Sequence, residues 1–148
     1  MVNLKSLMVT EDDGISISVY FKTITNKYGV KVQKVIDEEE AKDLISKKDT
    51  SVQTLNTKWV IPSWKLNNAI VRQSTYYDPS TGENKIDFSK FKENIIKNCL
   101  KEWDVVDDSG NPVSITLDSI GMLPTNVAND MFDKFNNYIY SSEEDKKK

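Results

Sequence analysis

The chain has 148 residues, enough for one domain or for a core with a small appended module. Its 38% hydrophobic and 29% charged residues give an ordinary globular composition, and no apolar run reaches the length of a membrane span. Histidine is absent and Cys99 is the single cysteine, which excludes an intramolecular disulfide and any Ser-His or Cys-His nucleophile pair.

Net charge is -3, and the two signs are mixed along the chain, so no basic patch stands out that could neutralise phosphates. Nucleic acid and membrane are therefore not expected partners. The opening "MVNLKSLMVTEDDG" turns acidic too soon for a secretory signal, and the natural reading is a cytosolic protein.

From Gly14, "ISISVYFKTIT" alternates: Ile15, Ile17, Val19 and Phe21 fall on one face, Ser16, Ser18, Tyr20 and Lys22 on the other. That pattern is a half-buried strand. "NKYG" supplies turn residues, and "VKVQKVI" resumes the alternation, so the pair reads as an antiparallel hairpin. "DEEEAKDLISKK" is a short helix capped by Asp37, with its acidic residues in the first turn. "DTSVQTLNT" is polar and reads as a connection.

In "IPSWKLNNAIVRQS", Pro62 and Ser63 are helix start signals, and Leu66, Ala69 and Ile70 lie one turn apart. "YYDPSTGENK" reads as a loop through Pro79 and Gly82. "IDFSKFKENIIKNCLKEW" gives the strongest helical period, with Phe88, Phe91, Ile95, Cys99 and Trp103 on one stripe. Thr116 caps a short turn through Leu117 and Ile120. After Pro124 a last helix carries Val127, Met131, Phe135 and Ile139 on one side. The expected fold class is α+β: a β-rich region with a short helix over residues 1–57, a helical module over 58–140, and a solvated tail over 141–148.

The loop "DDSGNP" invites a calcium reading, which its spacing defeats. Placing Gly110 at the sixth position of an EF-hand loop makes the first ligand Val105 and the twelfth Thr116, where a carboxylate is required. Gly82 and Gly14 put Tyr77 and Val9 at the first position and fail in the same way. The plainer reading is a tight reversal: Asp107 and Asp108 bond nearby amides, Gly110 takes a positive φ, and Pro112 holds Asn111 extended. Glu38, Glu39 and Glu40 point different ways around a helix, and Cys99 lies on an apolar stripe. Asp78 and Glu83 flank a loop with no basic partner evident beside them. Catalytic, cofactor and metal residues are thus expected to be none. The structural or partner-binding candidates are Trp59, Trp64, Trp103, Gly110, Pro112, Leu123 and Pro124, with Trp103 expected to pack on the last helix.

The succession "FKENIIKNCLKEWDVVDDSGNPVSITLDSIGMLPTNVANDMFDKF" resembles the C-terminal region of bacteriophage tail assembly chaperones and related small tail proteins. In that pattern a helix ends in Trp103, a D-x-x-G-x-P reversal follows at Asp107, Gly110 and Pro112, and then come a Thr116-capped turn, a Leu123-Pro124 step and a helix containing Ala128. The likeness covers about residues 59–138 and leaves the N-terminal hairpin unmatched. It implies a tail assembly protein that binds the tape-measure protein and tail-tube subunits in the host cytoplasm, with self-association possible and no cofactor. The alternative it leaves open is a structural virion component: a neck, tail-completion or baseplate adaptor.

Overall fold

A computed structural model describes residues 3–4 and 14–140. The readings made above for the leader before Gly14 and for the tail over 141–148 fall almost entirely outside them. The fold class is α+β. Strands β1 (Ile15–Thr25) and β2 (Lys31–Ile36) form the expected hairpin, pairing antiparallel from Tyr20↔Ile36 to Thr25↔Lys31. The turn between them is held by Asn26, whose Oδ1 accepts from the amides of Tyr28 and Val30, and by Gly29 at φ 79°. Helix α1 (Glu38–Ser46) starts where Asp37 accepts from the Glu40 amide at 2.7 Å.

The segment expected to be a connection is instead strand β3 (Val52–Trp59), and it runs through the middle of the sheet, whose order is β2-β1-β3 and then a fourth strand. Its core-facing residues Leu55, Thr57 and Trp59 alternate with exposed Asn56 and Lys58. The polar Thr57 conceals that pattern in the sequence, because it is buried for its hydroxyl and not for its hydrophobicity.

Helix α2 (Trp64–Gln73) opens on Ser63, which accepts from the Leu66 amide. The expected loop after it is a second hairpin, β4 (Thr75–Asp78) and β5 (Glu83–Ile86). Helix α3 (Phe88–Cys99) is shorter than its period suggests. Leu100 turns extended, and Leu100–Trp103 forms β6, which pairs with β3 through Trp59↔Leu100 and Thr57↔Trp103. Strand pairing outweighs helical propensity here, since it buries Leu100 against the sheet. Trp103 therefore ends a strand, and Phe88, at the other end of the expected stripe, is exposed. The short helix α4 (Leu117–Gly121) has a capping box between Thr116 and Ser119, and α5 (Thr125–Tyr140) closes the chain.

One hydrophobic cluster joins Ile17 and Val19 of β1, Leu55 and Trp59 of β3, Ile70, Ile95, Cys99 and Ile120 of the helices, and Val127, Met131 and Phe135 of α5. The expected boundary between residues 57 and 58 falls inside β3 and cuts through this cluster. Ile36 and Ala41 are buried outside it, and α1 contacts β1 and β3, shielding part of the second sheet face.

Trp59 anchors the cluster. It is fully buried, and its ring stacks on Phe135 with centroids 4.3 Å apart and planes 20° from parallel. Its indole N–H donates to Thr57 Oγ1 at 2.6 Å, and that hydroxyl donates in turn to the Ile17 carbonyl at 2.7 Å. Trp59→Ala is expected to lower the unfolding free energy by about 3–5 kcal/mol, as loss of a buried large aromatic does. Thr57→Val, nearly the same shape, strands the buried indole N–H and should cost about 1–3 kcal/mol. Denaturant melts of both variants check this; a change below about 0.5 kcal/mol for either would contradict the packing described.

Candidate functional site

The sequence candidates scatter when placed on the fold. Trp59 is core. Trp64, the first residue of α2, is 82% exposed. Trp103 is half-buried against the core, and its indole donates to the Val113 carbonyl at 2.6 Å, so it fastens the reversal; the ring stacked on the last helix is that of Trp59.

The reversal has two of its expected features, amide bonds to Asp107 and a positive φ at Gly110, while among the described residues no amide bonds Asp108. Asp107 Oδ1 accepts from the amides of Ser109 and Asn111, both at 2.9 Å, and the Asp107 and Gly110 amides bond back to Asn111 and Asp107 carbonyls. Gly110 takes φ 82°, and Pro112 bridges Val106. The Asp107 oxygen that a metal would need is thus turned onto backbone amides. Among the described residues, no group of three or more acidic or cysteine side chains is arranged to hold a metal ion.

The remaining carboxylates are local fixtures. Asp78 is held below the usual carboxylate range by the Ser80 hydroxyl and then by Lys85, whose ammonium lies 2.9 Å away; this corrects the expectation of no basic partner, since Lys85 stands in the same stretch and the hairpin brings it across. Glu38–Glu40 form the exposed first turn of α1. Lys134 of α5 lies 3.0 Å from the Ser18 carbonyl on the edge of β1 that β2 leaves open, and 2.9 Å from Asp130. Asp130 Oδ2 is buried without a well-angled hydrogen bond, and this ammonium is its counter-charge.

Large apolar side chains in solvent are the more informative feature. In the β4–β5 register, Thr75 faces Ile86 and Tyr77 faces Asn84, which makes exposed Tyr77 and Ile86 diagonal neighbours on one face. Phe88, 72% exposed, follows Ile86 by two residues. Trp64 and Met122, at 82% and 85%, are still more open. The hairpin is a separate two-stranded sheet, marginal by itself in water, and is tied down at its root. There the Asp87 amide bonds the Ser74 carbonyl, and the buried Ser74 hydroxyl donates to the Ile70 carbonyl and accepts from Asn94 Nδ2. The sequence signal for this surface was present in "YYDPSTGENKIDF", but periodicity assigned Phe88 to a buried stripe.

Leu123 and Pro124 line a groove of about 230 Å³ together with Phe21, Leu55, Val105 and Val127. No helix among the described residues is long and apolar enough to cross a membrane. No family model, curated protein or solved structure matches the chain.

Cys99 is fully enclosed, and burial pushes its thiol from 9.0 up to about 11. Because the fold favours the neutral thiol, its contribution is complete below the unfolded value and is lost as pH rises toward about 11. Native protein is therefore expected to resist maleimide at neutral pH and to react fully in denaturant. Stability should fall between pH 9.0 and about 11 more steeply than that of Cys99→Ala. Rapid native labelling or identical pH slopes would contradict this.

Proposed function

We propose that the chain is a bacteriophage tail assembly protein, a chaperone that binds the tape-measure protein and tail-tube subunits while the tail is built in the host cytoplasm. The role calls for a protein surface and no catalytic group, cofactor or metal, and we assign none. The observation that carries the protein-binding part is the group of exposed large side chains that follow β3: Trp64, Tyr77, Ile86, Phe88 and Met122. They leave apolar area in water that a client's apolar face can cover. The same side chains offer a means of self-association.

The resemblance over residues 59–138 supplies the identity of the partners. Its reversal at Gly110, Thr116-capped turn, Leu123-Pro124 step and final helix with Ala128 follow one another in the fold as in the pattern. Trp103, on a strand, departs from it. The four-stranded sheet, which takes its last strand from the second half of the chain, favours the second reading: a structural virion component such as a neck, tail-completion or baseplate adaptor.

Co-expression with the tape-measure protein of the same phage is expected to give a complex that survives gel filtration. Trp64→Ala combined with Phe88→Ala should weaken the complex while leaving the melting temperature nearly unchanged. Mass spectrometry of purified virions should find no copies. Stoichiometric copies in virions would replace the chaperone by the adaptor, and neither complex nor virion copies would remove the tail assignment.

A further inference from the structure

The pairing of β3 with β6 stops short of the end of β3. Beyond Thr57↔Trp103, Asp104 takes over: its Oδ1 accepts from the Asn56 amide at 2.9 Å, its Oδ2 accepts from Asn56 Nδ2 at 2.7 Å, and its own amide donates to the Asn56 carbonyl at 3.2 Å. Asn56 therefore directs its backbone N–H and C=O away from β1. Strand alternation gives Val52 and Thr54 the same outward direction. Among the described residues none bonds the outward groups of Val52 and Thr54. The groove lined by Phe21, Leu55, Val105, Leu123, Pro124 and Val127 borders the same stretch, with Thr54 and Asp104 on its rim.

We infer that the free edge of β3 at Val52–Leu55 is a docking site for an extended segment of a partner protein, which adds as a strand in line with β6 and sets an aliphatic side chain in the groove. Backbone groups spaced along an edge select an extended chain, because only its own N–H and C=O groups repeat at that interval. The groove, at about 230 Å³, is smaller than the roughly 300–1,000 Å³ usual for small-molecule sites. That size suits a side chain better than a cofactor. A second copy is disfavoured by size. An edge of this length, roughly 13 Å at about 3.3 Å per residue, supplies little of the about 1,000 Å² that a stable dimer buries. The inference stands on the β3 edge and goes beyond the tail-assembly reading, so failure of one leaves the other intact.

The test is selection of random linear peptides displayed against the full chain, followed by synthesis of the winning sequence. The expected winners carry an aliphatic residue at alternate positions. N-methylation of the synthetic peptide should abolish binding at residues of one parity and spare the other. Thr54→Pro removes the edge donor without touching the β1–β3 ladder. It should weaken binding about tenfold or more, with the melting temperature little changed. Should that variant fail to fold, the parity of the N-methyl effect decides alone. Selection of no peptide above background, or N-methyl effects without parity, would overturn the inference. So would equal binding by a folded Thr54→Pro protein, or self-association of the unmodified chain that Thr54→Pro abolishes.

Discussion

A tryptophan at the end of a central strand cannot be buried without an acceptor for its indole N–H, and the way Trp59 meets that demand organises much of this fold. Its acceptor is Thr57, two residues earlier on the same strand face, and the Thr57 hydroxyl donates its own hydrogen bond to the Ile17 carbonyl of β1. The polar requirement is thereby met inside the sheet, and both faces of the ring are left for apolar packing. Phe135 stacks on it, which fixes α5 against the sheet. Aromatic stacking of this kind adds about 0.5–1.5 kcal/mol beyond the area buried, a sizeable share of a domain stability of about 5–15 kcal/mol.

The second half of the chain follows from that anchor. With Trp59 in place, Leu100 pairs beside it, α3 ends at Cys99, and the chain is carried along β3 as far as Trp103. Asp104 then clamps Asn56, Trp103 binds the Val113 carbonyl, and the reversal at Gly110 returns the chain to the capped turn of α4. Asp104, Asp107 and Thr116 each turn a side-chain oxygen onto backbone amides. What remains is exposed aromatic residues on α2 and the β4–β5 hairpin, and a stretch of the β3 edge that no described strand pairs.

Local signals were legible wherever a short-range bond decides the structure. Asp37, Ser63 and Thr116 cap the helices they were expected to cap, the Asn26–Gly29 turn closes the first hairpin, and the stripe Val127, Met131, Phe135 faces the core. What escaped were the elements decided at long range. β3 was hidden because Thr57 is polar yet buried, a choice that makes sense only with Trp59 and Ile17 beside it. β6 was hidden because Leu100–Trp103 continues a helical period and becomes a strand only when β3 is there to pair with it. The candidate site was less legible than the fold. Trp59, Trp64 and Trp103 are chemically alike in the sequence, and only packing separates a core ring, an exposed ring and a loop fastener.

If one core carried by Trp59 holds both halves of the chain, the two cannot open independently. Native-state hydrogen exchange on the unmodified chain and on Trp59→Leu tests this most directly. The account predicts that the slowest amides of β1, β3 and α5 share one opening free energy and that the substitution lowers all of them equally. Slow exchange persisting in α3 and α5 after the sheet has lost protection would contradict it and restore a boundary near residue 58.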